Sequence, residues 1–273
     1  VTISLTSSIQ TTGGTLRVEG AFGGALGTCD TEPLDSPAHL PDSSVEYLYR
    51  GDDSWAMKPS ENSFDPGALI EEVAPLYRGA DPAHDFSHIL RVYKNAKEIG
   101  KMEGANMQVL LLAALLHDAE SGSKLAEISA ESNAKNLKTA EDFLKRKGFS
   151  EVVMEKVLYA VEVHRFSKGI TPTTLEAKIL QDADRLDAMG AIGIARVFMT
   201  GGALNRELYN PEDPFCRTRE PDDGKWNLDH FFKKLLKLES GMHTDAGKAL
   251  AKKRGSVLRR YLSDLEEEIG NSI

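Results

Sequence analysis

Imidazoles and carboxylates at the end of an apolar run are the part of this chain equipped for chemistry. Val109-Leu110-Leu111-Leu112-Ala113-Ala114-Leu115-Leu116 stops abruptly at His117-Asp118. Burying eight consecutive apolar residues carries that dipeptide toward the interior, where unpartnered charge is costly. A bound cation is the cheapest partner, because it favours neutral imidazole and ionised carboxylate together. Upstream, His84 and His88 are four residues apart and so share a helix face. Downstream, Asp182, Asp184 and Asp187 crowd one short stretch. Asp184 falls on a partly apolar helix, where a carboxylate needs a counterion.

The elements that must position these groups read as helix after helix. Asp65-Pro66 is an N-cap followed by Pro at the first helical position. Leu69, Ile70, Val73 and Leu76-Tyr77 mark one face, and Gly79 ends it. A second helix spans about Asp85 to Glu103, with Ile89, Val92, Tyr93, Ala96 and Ile99 at helical spacing. Gly104 closes it and the apolar helix follows from Asn106. Residues 120–130 form a polar connection, and 131–147 and 150–165 two amphipathic helices divided by Gly148. Thr171–Glu176 is a capping segment that launches a helix through Ala188. Ala191–Met199 is stopped by Gly201-Gly202, residues 209–225 are a loop, and helices return at 226–240 and 244–269. Nothing after residue 60 alternates like a sheet, and no internal repeat is visible. The expected class is all-α.

Residues 1–56 differ from this. They hold eight acids, two arginines and no lysine. Val1–Leu5 and Thr15–Val18 suit short strands, with Gly13-Gly14 as a turn, but no period is sustained. Residues 1–60 are therefore expected to be an extension, poorly ordered or outside the functional domain, and 61–273 the domain itself. Met57, where the text turns Lys-rich, suits the start of the functional polypeptide.

Of the formal charge of −9, the first 56 residues carry −6, leaving 34 acids and 31 bases in the rest. A body so near neutrality has no footprint for long nucleic acid. Cys29 and Cys216 make no metal-type spacing and no disulfide framework, which suits a reducing, cytoplasmic setting. The longest apolar run falls well short of the ~20 residues of a membrane helix, and the N-terminus lacks the layout of a signal peptide.

The order His88, His117-Asp118, Asp184 resembles the HD superfamily of metal-dependent phosphohydrolases. His84-Asp85-x-x-His88-x-x-Arg91-Val92 is similar to the opening of one bacterial and archaeal branch of nucleotide phosphohydrolases, some of them assigned nucleoside-triphosphate pyrophosphohydrolase activity. His164-Arg165-Phe166-Ser167 resembles a second signature of that branch, and Gln181 through Arg196 a third. His230-Phe231 through Leu236, then Met242, Thr244 and Arg254, resemble its C-terminal helices. The likeness covers about residues 66–270 and implies an HD-type helical bundle around a metal held by His88, His117, Asp118 and Asp184. Two imidazoles and two carboxylates suit Mn, Fe, Co, Ni or Mg, with positions left for water and a phosphate oxygen. Each ligand taken alone also reads as a satisfied core histidine or a capping acid.

Glu120, two beyond Asp118, is the candidate to orient or deprotonate the water, although the family spacing varies. His164 reads as a phosphate or leaving-group contact, a second-metal ligand, or a capping histidine. It is the one histidine between the dipeptide and Asp184, which favours a single metal. Arg91, Arg185, Arg196 and Lys124 are the candidate cations for a polyphosphate, with His84 behind His88. The expected reaction is hydrolysis of a small nucleotide, from triphosphate to monophosphate plus pyrophosphate. The alternatives are a nucleoside monophosphate phosphatase and a metal- or nucleotide-binding sensor without turnover.

Overall fold

The computed structural model describes residues 9–12, 15–22, 25–30, 47–49, 55–57, 65–78, 85–119, 130–165 and 169–270. The chain divides into two units, Val1–Ser63 and Phe64–Ile273. In the first, β1 (Ile9–Thr12), β2 (Thr15–Phe22) and β3 (Ala25–Asp30) form an antiparallel meander in that order. Thr12 pairs with Thr15 across Gly13-Gly14, and Phe22 with Ala25. β4 (Tyr47–Tyr49) and β5 (Trp55–Met57) make a separate antiparallel pair. The strand expected at Thr15–Val18 lies in β2; Val1–Leu5 lies outside the described residues.

The second unit is helical, and its one described β-bridge joins Glu207 to Trp226. α1 (Pro66–Val73) starts on the Asp65 side chain, which accepts from the Gly67 N–H. The face expected to continue through Tyr77 tightens at Ala74 into a 3-10 turn (Ala74–Tyr77). Pro75 has no N–H to continue an α-helical ladder. α2 (Phe86–Glu103) is capped by Asp85 and closed by Gly104 at φ 70, a left-handed turn that glycine adopts without strain. α3 (Met107–Leu116) begins on Asn106, and every residue from Val109 to Leu116 is buried. A ten-residue helix apolar on all sides has to be central, and α3 packs against α2, α5, α6 and α1.

α4 (Ala130–Arg146) and α5 (Glu151–Val163) pack together, and α6 (Leu175–Asp187) lies across α2 and α3. Thr174 caps α6 through the Ala177 N–H. α7 (Gly190–Ala203) runs through Gly201-Gly202 rather than stopping before them. Gly201 is buried against Asn227, where a Cβ would collide, so it is there for close packing. The helix expected over 226–240 breaks into α8 (Asp229–Lys233) and two 3-10 turns, Leu235–Lys237 and Glu239–Gly241. α9 (Asp245–Ile269) is capped by Thr244 and packs on α7, α6 and α2. Asp182, fully buried in α6, accepts from the backbone N–H groups of His243 and Thr244 and from the Thr244 hydroxyl. That carboxylate fixes where α9 starts. Among the described residues no helix is long and apolar enough to cross a membrane.

Candidate metal centre

Helix ends converge at the centre of this unit. His117 is the C-cap of α3, His164 the C-cap of α5, and Asp184 and Asp187 lie in the last turn of α6. The carbonyl end of each helix carries a partial negative charge, so the meeting point favours a cation before any side chain is counted. His88 enters from the first turn of α2.

Two of the histidines use one local device. The His117 Nδ1 lies 2.8 Å from the Ala114 carbonyl, and the His164 Nδ1 lies 2.5 Å from the Val161 carbonyl. A carbonyl can only accept, so Nδ1 carries the proton in each ring and Nε2 presents a lone pair. Each ring thereby satisfies a terminal carbonyl of its own helix. Asn136 of α4 donates to the His117 carbonyl at 2.7 Å, pinning the same turn.

His88 is held differently. Its Nδ1 lies 2.7 Å from Asp187 Oδ2, with both side chains buried. Asp187 also accepts from Arg91 Nε at 2.6 Å and from Arg196 Nη1 at 2.8 Å. Burial alone would raise the Asp187 carboxyl, but the hydrogen bonds from His88 and Arg91 hold it well below the usual carboxylate range. An ionised Asp187 keeps the proton of His88 on Nδ1, so Nε2 faces inward here too.

The Nε2 atoms of His88 and His117 are 3.3 Å apart. Burial lowers the His117 ring to about 4, against the pull of Asp118, so it is neutral at pH 7. With Nδ1 of each ring committed to its own partner, the two Nε2 atoms face each other at hydrogen-bond distance and favour positive charge between them. A proton or a metal cation supplies it. Asp184 Oδ1 lies 3.6 Å from His88 Nε2, and the ligand atoms of His88, His117 and Asp184 all fall within 4.8 Å of one another. A proton cannot use three converging donors, whereas a cation can. These residues fit a divalent ion.

Asp118 adjoins this group. Its Oδ2 is 3.8 Å from His117 Nε2, while Oδ1 accepts from Arg165 Nη2 at 2.6 Å. His164 follows, its ring 5.1 Å from that of His117 and nearly perpendicular to it. The candidate phosphate cations among the described residues each pair within the protein, two of them on the carboxylate that holds His88. Arg91 and Arg196 are engaged with Asp187, and Arg185 with the Gly241 carbonyl and Gln181 Oε1. Arg185 is thus a buried strut between α6 and the start of α9. His84, Glu120 and Lys124 lie outside the described residues.

Asp187 and Arg165 were given no role from the sequence. For Asp187 a signal existed, because it follows Asp184 by three residues and so shares its helix face. For Arg165 the signature His164-Arg165-Phe166-Ser167 marked the place but not the role, since its partner Asp118 lies 47 positions earlier.

Comparison with known proteins agrees with this geometry. The family model described as "HD domain" matches residues 85–189, spanning His88, His117-Asp118 and Asp184. Protein YpgQ of Bacillus subtilis is 32% identical over 191 residues, 68% of this chain and 84% of the relative. The chain belongs to the HD-domain family. The HD-family fold is also that of YpgQ solved in complex with ADP, with TM-score 0.60 and 30% identity over 76% of this chain and 95% of that one. An HD-superfamily hydrolase from Bacillus thuringiensis matches at TM-score 0.60 and 33% identity, over 76% of this chain and 100% of that one.

Proposed function

We propose that this HD-family chain hydrolyses a phosphoanhydride or phosphoester of a small nucleotide, with a nucleoside triphosphate going to monophosphate and pyrophosphate. The observation that carries the reading is the pair of inward-facing Nε2 atoms of His88 and His117 beside Asp184. The ADP complex of YpgQ supports a nucleotide as the ligand class. His88, His117 and Asp184 hold the ion, with Asp118 as the fourth ligand. Bound there, a divalent ion (Mn, Mg, Co, Ni or Fe) supplies a Lewis acid for a phosphoryl oxygen and lowers the pKa of an attacking water.

The remaining work falls to the chain. Asp187 keeps His88 in the tautomer that presents Nε2. Arg91 and Arg196 bring two cations to one carboxylate, so positive charge remains for a substrate phosphate. Glu120, just past the dipeptide, orients the water, and Lys124 reaches a phosphate. Residues 61–273 carry the activity.

A nucleoside monophosphate phosphatase is the second reading. The sharing of Arg91 and Arg196 with Asp187 favours it, because it leaves one net positive charge for phosphate rather than two. A screen of nucleotides with Mn, Co, Ni and Mg, detecting pyrophosphate separately from orthophosphate, decides between them. Pyrophosphate from triphosphates supports the first reading, and orthophosphate from monophosphates the second. No release with any metal refutes both.

A further inference from the structure

Asp118 and His164 repeat, one step away, the problem posed by His88 and His117. The His164 ring gives its Nδ1 proton to Val161, so Nε2 presents a lone pair. That nitrogen lies 3.5 Å from Asp118 Oδ1, and the two residues are only 4% and 2% exposed. Two electron-rich atoms this close and this buried repel unless positive charge joins them. Here that charge is Arg165: its Nη2 donates to Asp118 Oδ1 at 2.6 Å and its Nε donates to His164 Nε2 at 3.3 Å. One guanidinium therefore bridges a carboxylate oxygen and an imidazole nitrogen. His88 Nε2 and Asp184 Oδ1, 3.6 Å apart, present the same pair of donors to the cation site next door. The perpendicular rings of His117 and His164 place the two subsites side by side.

We propose that Arg165 is the resident cation of a second subsite formed by Asp118 Oδ1 and His164 Nε2, and that it restricts the centre to one divalent ion per chain. The inference rests on the reading of His88, His117 and Asp184 as a divalent-cation site. A guanidinium keeps its charge at every physiological pH, so the subsite is filled whatever the supply of metal. Its planar fork also fixes Asp118 Oδ1, leaving Oδ2 toward His117. A lysine would retain the charge with a single point of contact, and an uncharged side chain would remove the guanidinium's charge from between the two donors.

The test is Mn2+ stoichiometry of the full chain, by metal analysis and by electron paramagnetic resonance, with circular dichroism melts to verify folding. Wild type should bind one ion at saturation and Arg165→Lys also one. Arg165→Met should take up a second ion, with the spin-coupled signal of two manganese ions a few ångströms apart. Adding His164→Ala to that variant should return the count to one. Arg165→Gln, which keeps polarity, should show the same gain if Arg165→Met does not fold. Two ions in wild type, or one in a folded neutral variant, overturns the role of Arg165 while leaving the first cation site intact. No ion in wild type overturns the cation site itself, and this inference with it.

Discussion

Removing a donor at the residue scale should separate affinity from folding. Asp184 is 31% exposed while His88 and His117 are fully buried. Asp184→Asn should therefore weaken divalent-metal binding by at least tenfold, about 1.4 kcal/mol, with an unchanged melting temperature. His117→Ala should lose the metal and also destabilise, because it opens a cavity and unpairs the Ala114 carbonyl. Titration calorimetry and thermal melts check both; full metal content in either variant would remove that residue from the ligand set. Asp187 touches no ion in this arrangement but holds His88. Asp187→Asn should cost roughly 10- to 100-fold in metal affinity, the range for groups that orient a metal-bound histidine. Arg196→Ala should leave metal affinity within a few-fold, since Arg91 still pairs with Asp187, and should reduce triphosphate turnover by more than tenfold. Equal metal affinities for Asp187→Asn and wild type would show that His88 needs no such anchor.

Two junctions decide whether elements reach their places. Between α6 and α7, a Cβ on Gly193 would meet the Ala188 carbonyl oxygen at 2.2 Å, and backbone cannot yield as a side-chain tip can. Gly193→Ala should cost about 1–3 kcal/mol, read as a lowered urea midpoint, and should shift Arg196 relative to Asp187. The second junction is the irregular stretch before α8. Arg219 pairs in two-pronged fashion with the buried Asp229 (2.5 and 2.8 Å) and lies over Trp226. Asp213 accepts from the backbone of Arg217 and Thr218, which hold its carboxyl down to about 2 from the usual 3.8. Burial pushes Asp229 up, but the Arg219 hydrogen bond prevails and keeps it below the usual range. Both carboxyls are depressed in the folded state. The stabilisation from Asp213 is therefore present above its usual 3.8 and is lost as pH falls toward 2, and that from Asp229 is lost in the same direction. Hydrogen exchange should show residues 209–228 opening in that window ahead of α3. Simultaneous opening of the two would place the weak point elsewhere.

At the scale of the molecule, the chain divides into two units, Val1–Ser63 and Phe64–Ile273. Deleting residues 1–56 should therefore leave melting temperature and nucleotide turnover nearly unchanged. A large loss of either would mean that the N-terminal unit contributes to the core or to the site.

The primary structure alone determined the helical class, most helix starts and the order of the chemical groups. The caps Asp65, Asp85, Asn106 and Thr174 act through side-chain bonds to residues two or three positions on, which makes them legible in a local window. So was the fully buried α3, since eight apolar residues leave no solvent face. The expected helix over 226–240 and the stop before Gly201 differed because packing decided them: Gly201 is set by its contact with Asn227, a neighbour only the fold supplies. The same limit applied at the centre. Spacing grouped His88, His117 and Asp184, but it could not direct Arg91 and Arg196 to Asp187, or Arg165 to Asp118. Those pairings link residues up to 96 positions apart. A buried carboxylate takes whichever cation the packed helices bring within reach, and only the tertiary structure fixes that choice.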